Sequence, residues 1–143
     1  MTTIAWDGKH LWADSQATQG DHKHTVRKIL PVSTPTGPVL LGVTGDFTVL
    51  RPVLAALKAG EDYMEHVGKS ATVLVVKDGA LTVTTGKQQW VEEAPYFDGS
   101  GKALALGAYH ASKSVAKAMA AAIAHDVYSS GPIVKLKAPV RKT

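Results

Sequence analysis

Hydrophobic and polar positions alternate in short blocks along this chain, with turn residues between them. Thr2-Thr3-Ile4-Ala5-Trp6 is rich in strand formers, Asp7-Gly8 is a two-residue hairpin signal, and Lys9-His10-Leu11-Trp12-Ala13 reads as the returning strand. With a two-residue turn, Trp6 stands opposite Lys9, Ile4 opposite Leu11 and Thr2 opposite Ala13. That register sets the Asp14 carboxylate beside the first residues of the chain. Residues 19–25 are polar and read as a loop. Val26-Arg27-Lys28-Ile29-Leu30 reads as a short strand closed by Pro31, and residues 33–38 carry turn chemistry. Val39 to Gly45 is a continuous apolar run, the mark of a buried strand. Phe47, Leu50, Val53, Leu54 and Leu57 then recur at helical spacing. Pro52 predicts that this helix starts late or bends, and Gly60 predicts its end. Residues 63–68 leave room for about two further turns at 3.6 residues each.

The second half repeats the logic. Thr72 to Val76 and Leu81 to Thr85 flank Asp78-Gly79 as a second hairpin, residues 88–92 add a strand, and Gly99-Ser100-Gly101 is a tight turn. Residues 103–126 are alanine-rich and helical, divisible into two helices with Ser112 capping the second. Ile133 to Leu136 alternates like an edge strand. Strands, a helix, strands, helices and a strand in that order predict an α+β layered fold.

At 143 residues the chain reads as a single domain over 1–143. It has no cysteine, which excludes disulfides, thiolate metal sites and a cysteine nucleophile. No apolar run approaches the ~20 residues of a membrane span, and no basic region followed by an apolar core opens the chain. A cytoplasmic protein, off the membrane, is the expectation. The net charge of +4 owes much to Lys135, Lys137, Arg141 and Lys142. No aromatic residue interleaves with them in sequence, so the expectation is a solvated tail and no nucleic-acid partner. His22 and His24, with Asp21 nearby, read as an exposed polar loop; no metal or cofactor is expected. Trp6 and Trp12 share one hairpin as packing or interface residues.

The chemistry concentrates at the start. A threonine hydroxyl is a weak nucleophile unless a base takes its proton. A terminal threonine carries its own base, an α-amine with a reference pKa of roughly 7.7–8.0. Thr2 acquires that amine only if Met1 is removed, which a small second residue favours. A buried lysine beside it would lower the pKa of both groups, and a carboxylate would hold the lysine in place.

At these residues the sequence resembles the proteasome β-subunit group and its bacterial proteasome-like relatives, within the N-terminal-nucleophile (Ntn) hydrolases. Thr2-Thr3-Ile4 matches the segment that begins with the family's nucleophile, and Ala13-Asp14-Ser15-Gln16-Ala17-Thr18 its acidic segment. Val26-Arg27-Lys28-Ile29 places Lys28 at the essential lysine. Gly42-Val43-Thr44-Gly45 is similar to the G-x-x-G whose second glycine supplies the oxyanion-hole N–H. Gly99-Ser100-Gly101 resembles the family's G-S-G-G turn, and Asp126-Val127-Tyr128-Ser129 resembles the D-x-x-S-G segment that supports the terminal amine. Lys102 stands where the family usually has a further glycine. The blocks occur in order over almost the whole chain.

The resemblance implies a four-layer αββα sandwich of two antiparallel sheets. Its helical layer is reduced, because residues 46–68 hold one helix and a stub where the family carries two long, ring-stacking helices. It implies a threonine-dependent amidohydrolase, most simply a peptidase acting on peptides or unfolded protein. The expected catalytic set is Thr2, Asp14, Lys28, Gly45, Ser100, Asp126 and Ser129. The expected substrate pocket is formed by Ala17, Thr18, Val26, Leu30, Val43 and Phe47. A homo-oligomeric ring and an ATP-dependent unfoldase partner are further implications. Two alternatives stay open: an inactive assembly subunit of a proteasome-like particle, and an Ntn hydrolase acting on a non-peptide amide. Taken singly, Thr2-Thr3 is an ordinary strand start, Asp14 a turn acid, Lys28 a surface lysine, and Ser100 and Ser129 turn or cap residues.

Overall fold

The computed structural model describes residues 2–19, 22–126 and 129–139. Strands β1 (Thr3–Trp6) and β2 (His10–Ala13) form the first hairpin. Its register pairs Ile4 with Ala13 and Trp6 with Leu11, so the connection is wider than the expected two-residue turn. The Asp7 side chain is the cause. Its Oδ1 accepts from the amides of Lys9 (2.7 Å) and His10 (2.6 Å), and its Oδ2 accepts from Trp12 Nε1 at 2.8 Å. The pairing slips by an even number of residues, so every side chain keeps its expected face. Asp14 still arrives next to the start of β1.

The polar stretch expected to be a loop is a hairpin, β3 (Gln16–Gln19) with β4 (His22–Thr25). The expected strand over residues 26–30 starts only at Ile29. It then runs through the proline, as β5 (Ile29–Thr34). Pro31 is tolerated because β5 is the outermost strand of its sheet, where a missing N–H faces no ladder partner. The long strand β6 (Gly37–Gly45) follows, then a 3-10 turn at Phe47–Val49 and helix α1 (Leu50–Ala59). Pro52 thus falls in the first turn of the helix, where its lost N–H had no helical partner anyway. Gly60 ends α1 as expected, and only one short 3-10 turn, Met64–His66, occupies the room left after it.

Asp78-Gly79 closes β7 (Ala71–Lys77) onto β8 (Ala80–Thr85), with β9 (Gln88–Glu92) beside them. After β10 (Tyr96–Gly99) come α2 (Lys102–Ser112) and α3 (Val115–His125). Ser114, not Ser112, caps α3, accepting from Lys117 N at 3.2 Å. Ser112 instead donates to the carbonyl of Ala108, closing the last turn of α2. The edge strand β11 (Val134–Lys137) pairs with β2.

Apart from the two-stranded β3-β4 ribbon, two antiparallel sheets result, one in the order β10-β1-β2-β11 and the other β5-β6-β7-β8-β9. Side-chain alternation divides each strand between layers. On β7, Val73 and Val75 join the cluster under α1, while Leu74 and Val76 face the other sheet. On β1, Ile4 and Trp6 enter that same central cluster, while Ala5 packs with Ala118, Met119 and Ala122 of α3. The layers are therefore α1, sheet, sheet, α2/α3. This is the four-layer α+β sandwich, with one short helix on one side.

Candidate active site

The candidate residues gather at one end of the sandwich, drawn from both sheets. Thr2, Asp14 and Ser100 flank strands of the four-stranded sheet; Lys28 immediately precedes β5 and Gly45 ends β6 in the five-stranded one. Asp126 and Ser129 follow α3. At the centre, Asp14 and Lys28 are wholly buried as an ion pair. Lys28 Nζ donates to both Asp14 oxygens at 2.9 Å. The same carboxylate accepts from the amides of Thr3 (3.0 Å), Ser130 (3.1 Å) and Gln16 (3.4 Å). So many donors on one carboxylate fix its position. Burial pushes the Lys28 ammonium below the ordinary lysine range; Asp14, and at longer range Asp126, oppose that shift.

A second polar chain runs along the other side. Asp126 Oδ2 accepts from Ser129 Oγ (2.6 Å) and from Ser100 Oγ (2.7 Å). Ser100 Oγ in turn accepts from Thr2 N at 3.2 Å. Asp126 thus reaches the nitrogen of Thr2 through Ser100, from which it is 26 residues away in sequence.

Thr2 itself is fully buried. Its Oγ1 is the one buried side-chain polar atom among the described residues without a hydrogen-bond partner. Buried hydroxyls are normally satisfied, and an orphan of this kind calls for an explanation.

Gly45 ends β6 in the other sheet. It sits at φ +83°, and a Cβ there would run into the carbonyl of Ser70, so only glycine fits. Strand alternation gives the direction of its amide. Val43 N bonds the carbonyl of Lys28 across the β5 side. Two residues on, Gly45 N points to that same side, past the end of β5 at Ile29.

The expected pocket residues divide. Leu30 and Phe47 pack against the cluster under α1, and Val43 is a fully buried member of it. Phe47 also lines a shallow surface groove with Thr48, Leu50, Arg51 and Leu54. Val26 is half-buried, its amide bonded to the Ser15 carbonyl at 2.7 Å. Ala17 and Thr18 lie on β3, but their side chains, like those of His22 and His24, fall outside the described parts, as do Met1, Val127, Tyr128, Arg141 and Lys142.

Sequence reasoning passed over Thr3. Its hydroxyl lies 2.7 Å from Ser129 Oγ, a contact across 126 positions that no local pattern signals. It also left Lys135 without an aromatic neighbour; in the fold Lys135 Nζ sits 4.6 Å from the Trp12 ring centroid. The described residues hold no cluster of three or more His, Asp or Glu that could bind a metal. No helix among them is long and apolar enough to cross a membrane.

No protein-family model and no curated protein sequence matches the chain. Solved structures do. BPH of Thiobacillus denitrificans, solved alone and in complex with epoxomicin, superposes with a TM-score of 0.69 at 20% identity over 99% of both chains. HslV of Trypanosoma brucei superposes with a TM-score of 0.62 at 17% identity, over 95% of this chain and 98% of its own. The chain has the proteasome-like Ntn-hydrolase fold.

Proposed function

We propose that the protein is a threonine-dependent amidohydrolase, a proteasome-like peptidase, with Thr2 as nucleophile after removal of Met1. The observation that carries this reading is the orphan Thr2 hydroxyl, buried in a site that also holds the Asp14–Lys28 pair. Thr2 Oγ gives its proton to its own α-amine and bonds to the carbonyl carbon of the substrate. The carbonyl oxygen becomes an oxyanion and takes a hydrogen bond from Gly45 N–H. The C–N bond then breaks, and the proton held by the α-amine passes to the leaving amine. Water hydrolyses the remaining ester, with the α-amine again as base, and restores the hydroxyl. Lys28 supplies positive potential, Asp14 holds Lys28, and Asp126 with Ser100 and Ser129 orients the amine.

The apolar character of Val26, Leu30, Val43 and Phe47 supports cleavage after large apolar residues, since burying an unpartnered charge among them is unfavourable. Ala17 and Thr18 complete that pocket in this reading. A homo-oligomeric ring fed by an ATP-dependent unfoldase is the wider arrangement we infer; native mass spectrometry reads the assembly directly.

The complete burial of Thr2 favours one competitor, an inactive assembly subunit. Intact mass followed by exposure to epoxomicin separates the two. Loss of one methionine and a stoichiometric adduct, absent from Thr2→Ala with an unchanged melting temperature, is the expected result. A retained Met1, or a free Thr2 that takes no adduct, would leave the assembly reading standing.

A further inference from the structure

We propose that Thr3 is a positioning residue that joins the two polar arms of the site, an inference that rests on Thr2 being the nucleophile. Its backbone N–H donates to Asp14 Oδ1 at 3.0 Å, the oxygen that also receives Lys28 Nζ. Its side chain meets Ser129 Oγ at 2.7 Å. One residue therefore touches both the Asp14–Lys28 pair and the Asp126 chain.

The direction of the hydrogen bonds follows from proton counting. A hydroxyl has one proton to give. Ser129 spends its proton on Asp126 Oδ2, at 2.6 Å. Between Ser129 and Thr3, Thr3 must therefore donate. Ser100 spends its proton on the same Asp126 oxygen, which leaves its lone pairs to accept Thr2 N–H. The chain reads Thr3 O–H to Ser129, Ser129 O–H to Asp126, Ser100 O–H to Asp126, and Thr2 N–H to Ser100. Hydrogen bonds in such a chain polarise one another. Thr3 is the terminal donor that turns Ser129 toward Asp126.

The Thr3 rotamer is fixed by its surroundings. Thr3 is fully buried, and a Cβ on Gly101 would overlap its Oγ1. The glycine of the Gly99-Ser100-Gly101 turn thus makes room for the Thr3 hydroxyl while the turn presents Ser100 to Thr2.

Without the Thr3 hydroxyl, Ser129 loses its donor and can turn away from Asp126. The Asp126 charge is then less satisfied and draws harder on Ser100 and the protonated amine. The amine holds its proton to higher pH, and the fraction able to act as base falls.

The test compares Thr3→Val, Thr3→Ala and Thr3→Ser with the wild-type protein lacking Met1, by rate of epoxomicin adduct formation against pH and by peptide kcat and KM. Thr3→Val should fall about tenfold in both adduct rate and kcat, with KM within about twofold and the acidic limb moved to higher pH. Thr3→Ser, which keeps the donor, should recover most of the rate and the wild-type limb. Thr3→Ala repeats the measurement should the valine variant fail to fold. In a Ser129→Ala background, removing the Thr3 hydroxyl should add little further loss. An unshifted limb in both variants that lack the hydroxyl, or Thr3→Ser as slow as Thr3→Val, overturns the role of Thr3 while leaving the nucleophile in place. A wild-type protein that takes no adduct overturns both.

Discussion

Asp14 and Lys28 act as one group. Each lies wholly out of water, and each is the other's charge partner. Burying a single charge without its partner is far costlier than burying the pair. Lys28→Met strands the Asp14 carboxylate, and Asp14→Asn strands the ammonium. Both single variants should therefore lose nearly all hydrolysis, and the double variant should be scarcely worse than either, because residues acting as a unit are strongly non-additive. Steady-state rates on a fluorogenic peptide check this, and additive losses would separate the two residues. The shift of Lys28 carries a sign for stability as well. Its folded pKa lies below 10.5 because burial disfavours the ammonium. Between that lowered value and 10.5 the unfolded chain binds a proton that the folded chain has released, so this group makes stability rise with pH across that window. A ¹⁵N NMR titration of Lys28 Nζ should place its midpoint below the ordinary lysine range. Asp14 was legible in the sequence because a hairpin register carries it to the start of the chain, whereas Lys28 was singled out through the family resemblance. Thr3 was not legible, because its partner Ser129 lies 126 positions away along the chain and only the fold brings the two together.

Hairpins and helix ends show where local pattern suffices and where a single side chain overrides it. Asp78-Gly79 between two β-branched runs made the β7–β8 hairpin readable from sequence, and the run from Val39 to Gly45 did the same for β6. Asp7-Gly8 carries the same dipeptide signal, yet the loop is wider. The signal assumes a backbone-only turn, whereas here the Asp7 carboxylate gathers three donors, from Lys9, His10 and Trp12. Burial raises the Asp7 pKa, but these hydrogen bonds and the nearby His10 outweigh it and hold the carboxyl below 3.8. A folded pKa below the unfolded one means that the stabilisation is complete above 3.8 and is lost as pH falls through the lower, folded value. Asp7→Ala should thus cost about 1–3 kcal/mol at neutral pH, from hydrogen bonds worth about 1 kcal/mol each. The gap between variant and wild type in urea midpoints should close as pH drops through that acidic range. A gap independent of pH would mean that the carboxylate does not set the loop. The Ser112 and Ser114 caps differ for a related reason: both residues can cap, and only the geometry between α2 and α3 decides which one does.

At the scale of the whole molecule, the site depends on how two sheets are held against each other. Thr2, Asp14 and Ser100 move with the four-stranded sheet, whereas Lys28 and Gly45 move with the five-stranded one. The central cluster between them contains Ile4, Leu11 and Leu74. Gly42 lets the sheets come close, since a Cβ there would lie 3.2 Å from Ile29 and 3.3 Å from Ile4. The outer cluster of Met119 and Ala122 holds α3 to one sheet only. Leu74 and Met119 are both fully buried, so truncating either to alanine should cost about 2–5 kcal/mol through lost burial and a cavity. Their effects on catalysis should differ. A cavity between the sheets loosens the alignment of Gly45 and Lys28 against Thr2, and a misplacement of about 1 Å can cost on the order of a hundredfold in rate. A cavity under α3 leaves the sheet-to-sheet alignment intact. Leu74→Ala should therefore slow epoxomicin adduct formation several-fold more than Met119→Ala at a temperature where both remain folded. Equal rates at matched stability would show that the two halves of the site are held together by their own hydrogen bonds, with the Asp14–Lys28 pair alone spanning the sheets.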